Sequence, residues 1–184
     1  MSGRPALFLD RDGVINEDYA YVCRREDFVF VDGIFELGRT ARERGYLLVV
    51  VTNQAGIGRG YYTEADFWAL TDWMLEVFAA EGCPIDAVYF CPYHPEHGQG
   101  EYKKAASCRK PQPGMIKQAA REHGIDLTRS VLVGDRESDV EAGRAAGVGC
   151  NLLLAPAGDC RTAVGATAVV QNPVQVCSYL KDWS

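Results

Sequence analysis

The chain has 184 residues, 47% of them hydrophobic, and a formal charge of −6. That length suits one domain with a full core, and the acidic balance argues against nucleic acid or an anionic membrane as the main partner. No apolar stretch approaches the ~20 residues that span a bilayer, no signal-peptide core precedes Asp10, and seven irregularly spaced cysteines suit a reducing compartment, so a cytoplasmic enzyme is expected.

In chain order, Leu7-Phe8-Leu9 reads as a short buried strand emptying into Asp10-Arg11-Asp12-Gly13. Val14 to Val31 mixes polar and aromatic residues without a clear period and is expected to be a loop with a short hairpin. Ile34, Leu37 and Ala41 step by three and four and predict a helix stopped at Gly45. Tyr46 to Val51 is the second strand and ends at Thr52-Asn53-Gln54. Thr63 is placed as the N-cap of a helix with Phe67, Leu70, Met74, Val77 and Phe78 on one face. Ala87 to Phe90 is the third strand, and the irregular stretch from Pro92 to Gln112 follows it. Loops beyond ~12–15 residues in a compact domain are usually functional or disordered.

Pro113 opens a helix with Ile116, Ala119 and Ala120 inward and Gly124 at its end. Val131 to Val133 is the fourth strand and runs into Gly134-Asp135. Ser138 and Glu141 pattern as a capping box for a helix closed by Gly147. Cys150 to Leu154 is a fifth strand, and Ala168-Val169-Val170 a short edge strand. Continuous apolar runs alternating with helices predict an α/β fold: a single doubly wound parallel sheet with helices on both faces. One domain is expected, with a core of about residues 5–155 and a peripheral C-terminal segment.

Ligands of such sheets bind beyond the carboxyl ends of the strands. Gathered there are Asp10 and Asp12, then Thr52 and Asn53, then Arg109 and Lys110 after the long loop, then Asp135 with Asp139. Side chains at i and i+2 of an extended segment point the same way, so Asp10 and Asp12 can face one ligand. Paired carboxylates repel unless a cation or a shared proton relieves them. They read as a metal-assisted nucleophile and acid–base pair, or as a solvated acidic turn. Taken singly, Thr52, Asn53 and Lys110 are ordinary turn and surface residues. Together the acids, neutral donors and cations suit a phosphoryl group. Mg²⁺ takes one or two carboxylates plus waters and a substrate oxygen, and Asp10 and Asp135 would supply them.

On Asp10-Arg11-Asp12-Gly13, Thr52-Asn53-Gln54, Arg109-Lys110-Pro111 and Gly134-Asp135-Arg136-Glu137-Ser138-Asp139, the chain resembles the haloacid dehalogenase superfamily of aspartyl-phosphate phosphatases. It is most similar to the D-glycero-D-manno-heptose-1,7-bisphosphate 7-phosphatases of lipopolysaccharide and nucleotide-heptose precursor synthesis, then to the histidinol-phosphatases. That closer match rests on Asn16 to Val22, Ala55-Gly56-Ile57, Cys91-Pro92, Cys108 and Pro113-Gly114-Met115. The resemblance implies a Rossmann-like fold with no separate cap domain. It makes Asp10 the nucleophile and Asp12 the acid and base, with Thr52 and Lys110 stabilising the phosphoryl group. Asp10, the Asp12 backbone carbonyl and Asp135 would hold Mg²⁺. Substrate contacts fall on Asp18, Tyr19, Ala20, Tyr21, Asn53, Gln54, Ala55, Arg109 and Arg136. Arg109 would clamp a distal phosphate of a small sugar bisphosphate, because its planar fork suits bidentate contact.

These families usually carry a structural zinc in the long loop, on a Cys-x-His pair and a later Cys-x-Cys pair. Here histidine follows Cys91 one residue late, at His94, and Ala106 stands where the family has a cysteine. Cys91, His94, His97 and Cys108 form the set that could hold zinc, and an ordered loop with two free thiols is expected instead. A histidinol-phosphate site should want acidic or neutral contacts, so Arg109 and Arg136 favour a doubly phosphorylated ligand. A receiver-type phosphoacceptor domain is the reading from another class, but its accepting Asp lies on the third strand, where this chain has Cys91-Pro92. A monomer is expected, since no helix pattern shows an exposed apolar stripe.

Overall fold

A computed structural model describes residues 3–162 and 164–183. Its centre is one parallel sheet of β1 (Ala6–Leu9), β2 (Leu47–Asn53), β3 (Ala87–Cys91), β4 (Val131–Gly134), β5 (Cys150–Leu154) and β6 (Ala168–Val170). The strand order is β3-β2-β1-β4-β5-β6. The order reverses direction at β1, so the crevice beyond β1 and β4 is the topological switch point.

Successive strand residues point to opposite faces, and β1 shows why its run is apolar throughout. Leu7 and Leu9 join one core with Ile34, Leu37, Leu48, Val50 and Phe78. Ala6 and Phe8 join the other with Val49, Met115, Ile116, Ala119 and Ala142. Both faces are therefore covered by helices: α1 (Ile34–Glu43) and α3 (Glu64–Ala80) on the first, α4 (Gly114–His123) and α5 (Glu137–Ala146) on the second. A one-turn helix α2 (Ala55–Gly58) follows β2, and another, α6 (Pro173–Val176), lies near the C-terminus. No separate cap domain is present among the described residues.

Two local expectations need correction. The cap of α5 is not Ser138 with Glu141: the helix begins at Glu137, and the Arg136 N–H donates to Asp139 Oδ2 at 3.0 Å. Ser138 already lies inside the first turn, so the carboxylate of Asp139, two residues before Glu141, takes the N-cap N–H. The segment after residue 155 is not peripheral. It supplies β6, buries Val170, Val176 and Leu180, and returns Trp183 Nε1 to the Tyr46 hydroxyl at 2.9 Å.

The stretch after β1 folds back in a short antiparallel contact, with Glu17 N–H on Val29 O and Val31 N–H on Ile15 O. No helix among the described residues is long and apolar enough to cross a membrane.

Candidate active site

The floor of the site begins where β1 ends. The Asp10 N–H donates to Val133 O at 3.1 Å, extending the β1–β4 ladder by one residue and fixing Asp10 at the seam. Asp135 follows β4 directly, and Asp139 sits in the first turn of α5. Carboxylate oxygens of Asp10, Asp135 and Asp139 lie within 4.8 Å of one another. Gly13 makes this approach possible. It has φ +87°, and a Cβ there would fall 2.4 Å from Asp135 Oδ2.

Lys110 enters from the long loop and is 4% exposed. Its ammonium lies 3.0 Å from Asp10 Oδ1 and 2.6 Å from Asp139 Oδ1, and donates to Val51 O at 2.8 Å. A loop lysine can be placed this firmly because Asn53, at the end of β2, grips its backbone. Asn53 Oδ1 accepts the Lys110 N–H at 3.0 Å, and Asn53 Nδ2 donates to Lys110 O at 3.1 Å.

The charges at the floor do not balance. Burial, with Asp139, Asp135 and Asp12 adding and Lys110 opposing, raises Asp10 to about 8. Burial and then Asp139 raise Asp135 to about 6, against Arg136 and Arg161. Burial disfavours the Lys110 charge, but Asp10 and Asp139 outweigh it and hold the ammonium above the usual lysine range. Asp135 Oδ1 is buried without a hydrogen-bond partner. Three acids against one buried ammonium, with an unpaired carboxylate oxygen, fit a hard divalent cation that takes oxygen ligands.

The Asp12 carboxylate stands outside that trio and is held by donors on three sides. Arg11 Nη2 reaches both its oxygens at 3.0 Å, Asn16 Nδ2 reaches Oδ1 at 3.1 Å, and Gln54 Nε2 reaches Oδ2 at 3.0 Å. Arg11 is 1% exposed, packs between the Phe28 and Phe67 rings, and also donates to Val22 O. Gln54 is oriented in turn, since its Oε1 accepts from the Tyr62 hydroxyl and its Nε2 also donates to Thr52 Oγ1. Such outer contacts fix the rotamer of the group they hold.

Above the floor lies a cleft of about 580 Å³. Its rim is made of loop residues. Arg136 Nη2 meets Asp18 Oδ2 at 2.8 Å, and Arg109 Nη1 donates to Tyr93 O at 3.1 Å. Arg59 lies over the Tyr21 ring, which meets Tyr61 edge-on. Ala20 and Tyr21 hold φ of 60° and 57°, a left-handed conformation that non-glycine residues rarely adopt. Burial, then the like charges of Arg59 and Arg136, lower the Arg109 pKa, with Cys91 and Cys108 opposing. Burial, then Arg109, His97 and Arg59, lower that of His94. Arg59, Arg109 and Arg136 lining one cleft mark a place for an anion.

Of the residues expected at the site, Asp10, Asp12, Asp18, Ala20, Tyr21, Asn53, Gln54, Ala55, Arg109, Lys110 and Arg136 line this cleft. Thr52 and Asp135 lie buried beside them, and Tyr19 turns away with 63% exposure. The zinc set does not assemble. No three of Cys91, His94, His97 and Cys108 bring ligand atoms together, because His94 Nδ1 instead accepts the N–H groups of Glu96 and His97. Cys91 and Cys108 do meet, sulfur to sulfur at 2.8 Å.

The sequence reading missed Arg59, Tyr62, Arg11 and Arg161. Arg161 donates from the segment after β5 to Asp135 O at 2.8 Å. Arg59 and Tyr62 stand within eight residues of Gln54, so their closeness to a motif was a usable signal. Nothing local points to Arg161.

A HAD-hydrolase-like family model matches residues 107–183. The D-glycero-alpha-D-manno-heptose-1,7-bisphosphate 7-phosphatase of Burkholderia mallei is 60% identical over 175 residues, covering 95% of this chain and 93% of that protein. The D-glycero-beta-D-manno-heptose-1,7-bisphosphate 7-phosphatase of Vibrio cholerae is 50% identical, covering 82% and 81%. The crystal structure of D,D-heptose 1,7-bisphosphate phosphatase from B. bronchiseptica, complexed with magnesium and phosphate, superposes with a TM-score of 0.80 at 28% identity. It covers 95% of this chain and 97% of that one.

Proposed function

The chain belongs to the heptose-1,7-bisphosphate 7-phosphatase family of haloacid dehalogenase-like hydrolases and is a phosphatase, and on that premise we propose that it removes the C7 phosphate of D-glycero-D-manno-heptose 1,7-bisphosphate. The whole chain acts as one domain in this reading. The observation that carries it is the buried set of Asp10, Lys110, Asp135 and Asp139, with half-buried Asp12 beside it, beneath a cleft whose rim presents Arg59, Arg109 and Arg136. One phosphate needs the floor, and a second needs the rim.

Asp10 is the nucleophile. Its carboxylate oxygen bonds to phosphorus as the bond from phosphorus to the C7 oxygen breaks, and Asp12 gives that oxygen its proton. Asp12 then takes a proton from water, the water oxygen bonds to phosphorus, and the Asp10–phosphorus bond breaks to release inorganic phosphate. Lys110 and Thr52 hold the transferring oxygens. Asp10, Asp135, Asp139 and the Asp12 backbone carbonyl would hold Mg²⁺, which neutralises phosphoryl charge when bound. Arg109, with Arg59 beside it, takes the C1 phosphate, and Arg136 with Asp18 takes sugar hydroxyls.

The alpha configuration at C1 is the expected preference, since it is named for the more similar of the two relatives above. Such a reaction belongs to the supply of heptose for lipopolysaccharide and nucleotide-heptose precursors. The test is phosphate release from both anomers of the heptose 1,7-bisphosphate and from histidinol phosphate, with Mg²⁺ and with chelator. Mg²⁺-dependent loss of one phosphate from the bisphosphate, fastest for alpha, is expected. Faster hydrolysis of histidinol phosphate would move the chain to the other substrate class with its chemistry intact.

A further inference from the structure

Cys91 is the last residue of β3 and fully buried. Cys108 is half-buried on the returning limb of the long loop, one residue before Arg109 and two before Lys110. Both are free thiols, and their sulfurs stand 2.8 Å apart. A disulfide S–S bond is about 2.05 Å long, so less than an ångström of movement would join them. No metal explains the pairing, because no third His, Cys, Asp or Glu ligand atom gathers around them among the described residues.

We propose that Cys91 and Cys108 form a redox-active dithiol that a low-molecular-weight disulfide oxidises to a bond pinning the Arg109–Lys110 segment to β3. Cys108 is the attacking thiol. It is the more accessible of the two, and the hydrogen bond shared with Cys91, then Lys104 and Arg109, bring it to about 7 against burial. Its thiolate bonds to one sulfur of the small disulfide and expels the other half as a thiolate. That thiolate takes the proton of Cys91. The Cys91 sulfur then bonds to Cys108 Sγ and expels the second half. Two protein thiols are oxidised by two electrons, and one small disulfide is reduced to two thiols.

The bond closes the loop of residues 92–107 at its neck. Lys110 is already tied to Asp10, Asp139, Val51 and Asn53 in the conformation that holds the sulfurs together. Oxidation therefore staples the arrangement shown here and leaves the floor intact.

The test is incubation of the whole protein in glutathione buffers of graded redox poise, followed by alkylation and peptide mapping by mass spectrometry. The expected result is a Cys91–Cys108 cross-linked peptide, reversed by reductant, with a higher Tm in the oxidised form. Turnover of a phosphate monoester should be the same in both forms. In Cys91→Ser a stable glutathione adduct should collect on Cys108, whereas Cys108→Ser should leave Cys91 unmodified. Mapping the unaltered protein needs neither variant to fold. Full alkylation of both thiols in every buffer, with oxidation confined to exposed Cys160, would overturn the proposal. So would one equivalent of zinc retained by the reduced protein and lost in either variant.

Discussion

At the floor of the cleft, Asp10, Lys110, Asp135 and Asp139 are each at most 8% exposed and tied to strand ends by several contacts. At the rim, the Arg136 side chain is 66% exposed, Tyr21 is 43% exposed, and single hydrogen bonds join one loop to another. The two regions lie within one pocket, yet the physics asks different things of them. Stabilising a phosphoryl transfer needs charges that do not reorganise as the reaction proceeds, and only a packed strand end supplies that. Recognising a sugar bisphosphate needs reach and adaptability, which loops on a rigid scaffold provide. Damage at the floor should therefore strike turnover and folding, and damage at the rim should strike affinity.

The largest effect is expected at Asp10, the proposed nucleophile. Asp10→Asn should lower kcat by at least about a thousandfold, as removal of a covalent nucleophile does, while circular dichroism stays native. A kcat within tenfold of the parent would dissolve the distinction between floor and rim. Next comes the buried cation. Lys110→Met leaves Asp10 and Asp139 without their ammonium, and breaking a buried pair typically costs about 3–5 kcal/mol. Urea unfolding without metal should show a loss of that order, and an unchanged midpoint would mean the pair adds nothing to the fold.

At the rim, Arg109→Ala should raise KM for a sugar bisphosphate about 10–100-fold with kcat little changed. That range corresponds to about 1.5–3 kcal/mol of charge-assisted hydrogen bonding. Steady-state kinetics on the matching monophosphate, which lacks the distal group, should show almost no change. Arg59→Ala should do the same more weakly, and a kcat effect in either variant would place that arginine among the reacting groups.

The remaining test is one of pH. Asp10 titrates near 8 and Asp135 near 6 in the metal-free fold, against 3.8 for a free Asp. Between those values the folded site holds protons that the unfolded chain has released, so this contribution to stability falls as pH rises from about 4 to 8. Mg²⁺ needs the ionised carboxylates, so its stabilisation should grow over the same window. Calorimetry should show the Mg²⁺-dependent rise in Tm widening with pH and flattening in Asp10→Asn. A rise independent of pH would separate the cation from the acid trio.

The same contrast decides what could be read in the sequence. Strand ends announce themselves, because a doubly buried strand must be a continuous apolar run and its end is marked by the first polar residue. Asp10, Thr52 and Asp135 were legible for that reason. Lys110 was legible only through its motif, because nothing in a loop of that length says that Asn53 will grip its backbone. The Tyr62–Gln54–Asp12 chain needs a side chain returned by the turn after α2, which periodicity does not encode. Arg161 joins Asp135 across 26 residues of sequence. The C-terminal segment looked peripheral because Ala168-Val169-Val170 is short, yet it closes the sheet edge and buries Leu180.

The central claim is that Asp10 carries the phosphoryl group, and Asp12→Asn tests it most directly. That change keeps the nucleophile and the acid trio but removes both the acid of the first step and the base that would activate water in the second. Mixed with Mg²⁺ and an aryl phosphate, whose leaving group needs no proton, then quenched in acid and digested, the variant should yield a phosphoryl adduct on the peptide containing Asp10. No adduct at any time point, with phosphate still released at the parent rate, would contradict covalent catalysis by Asp10.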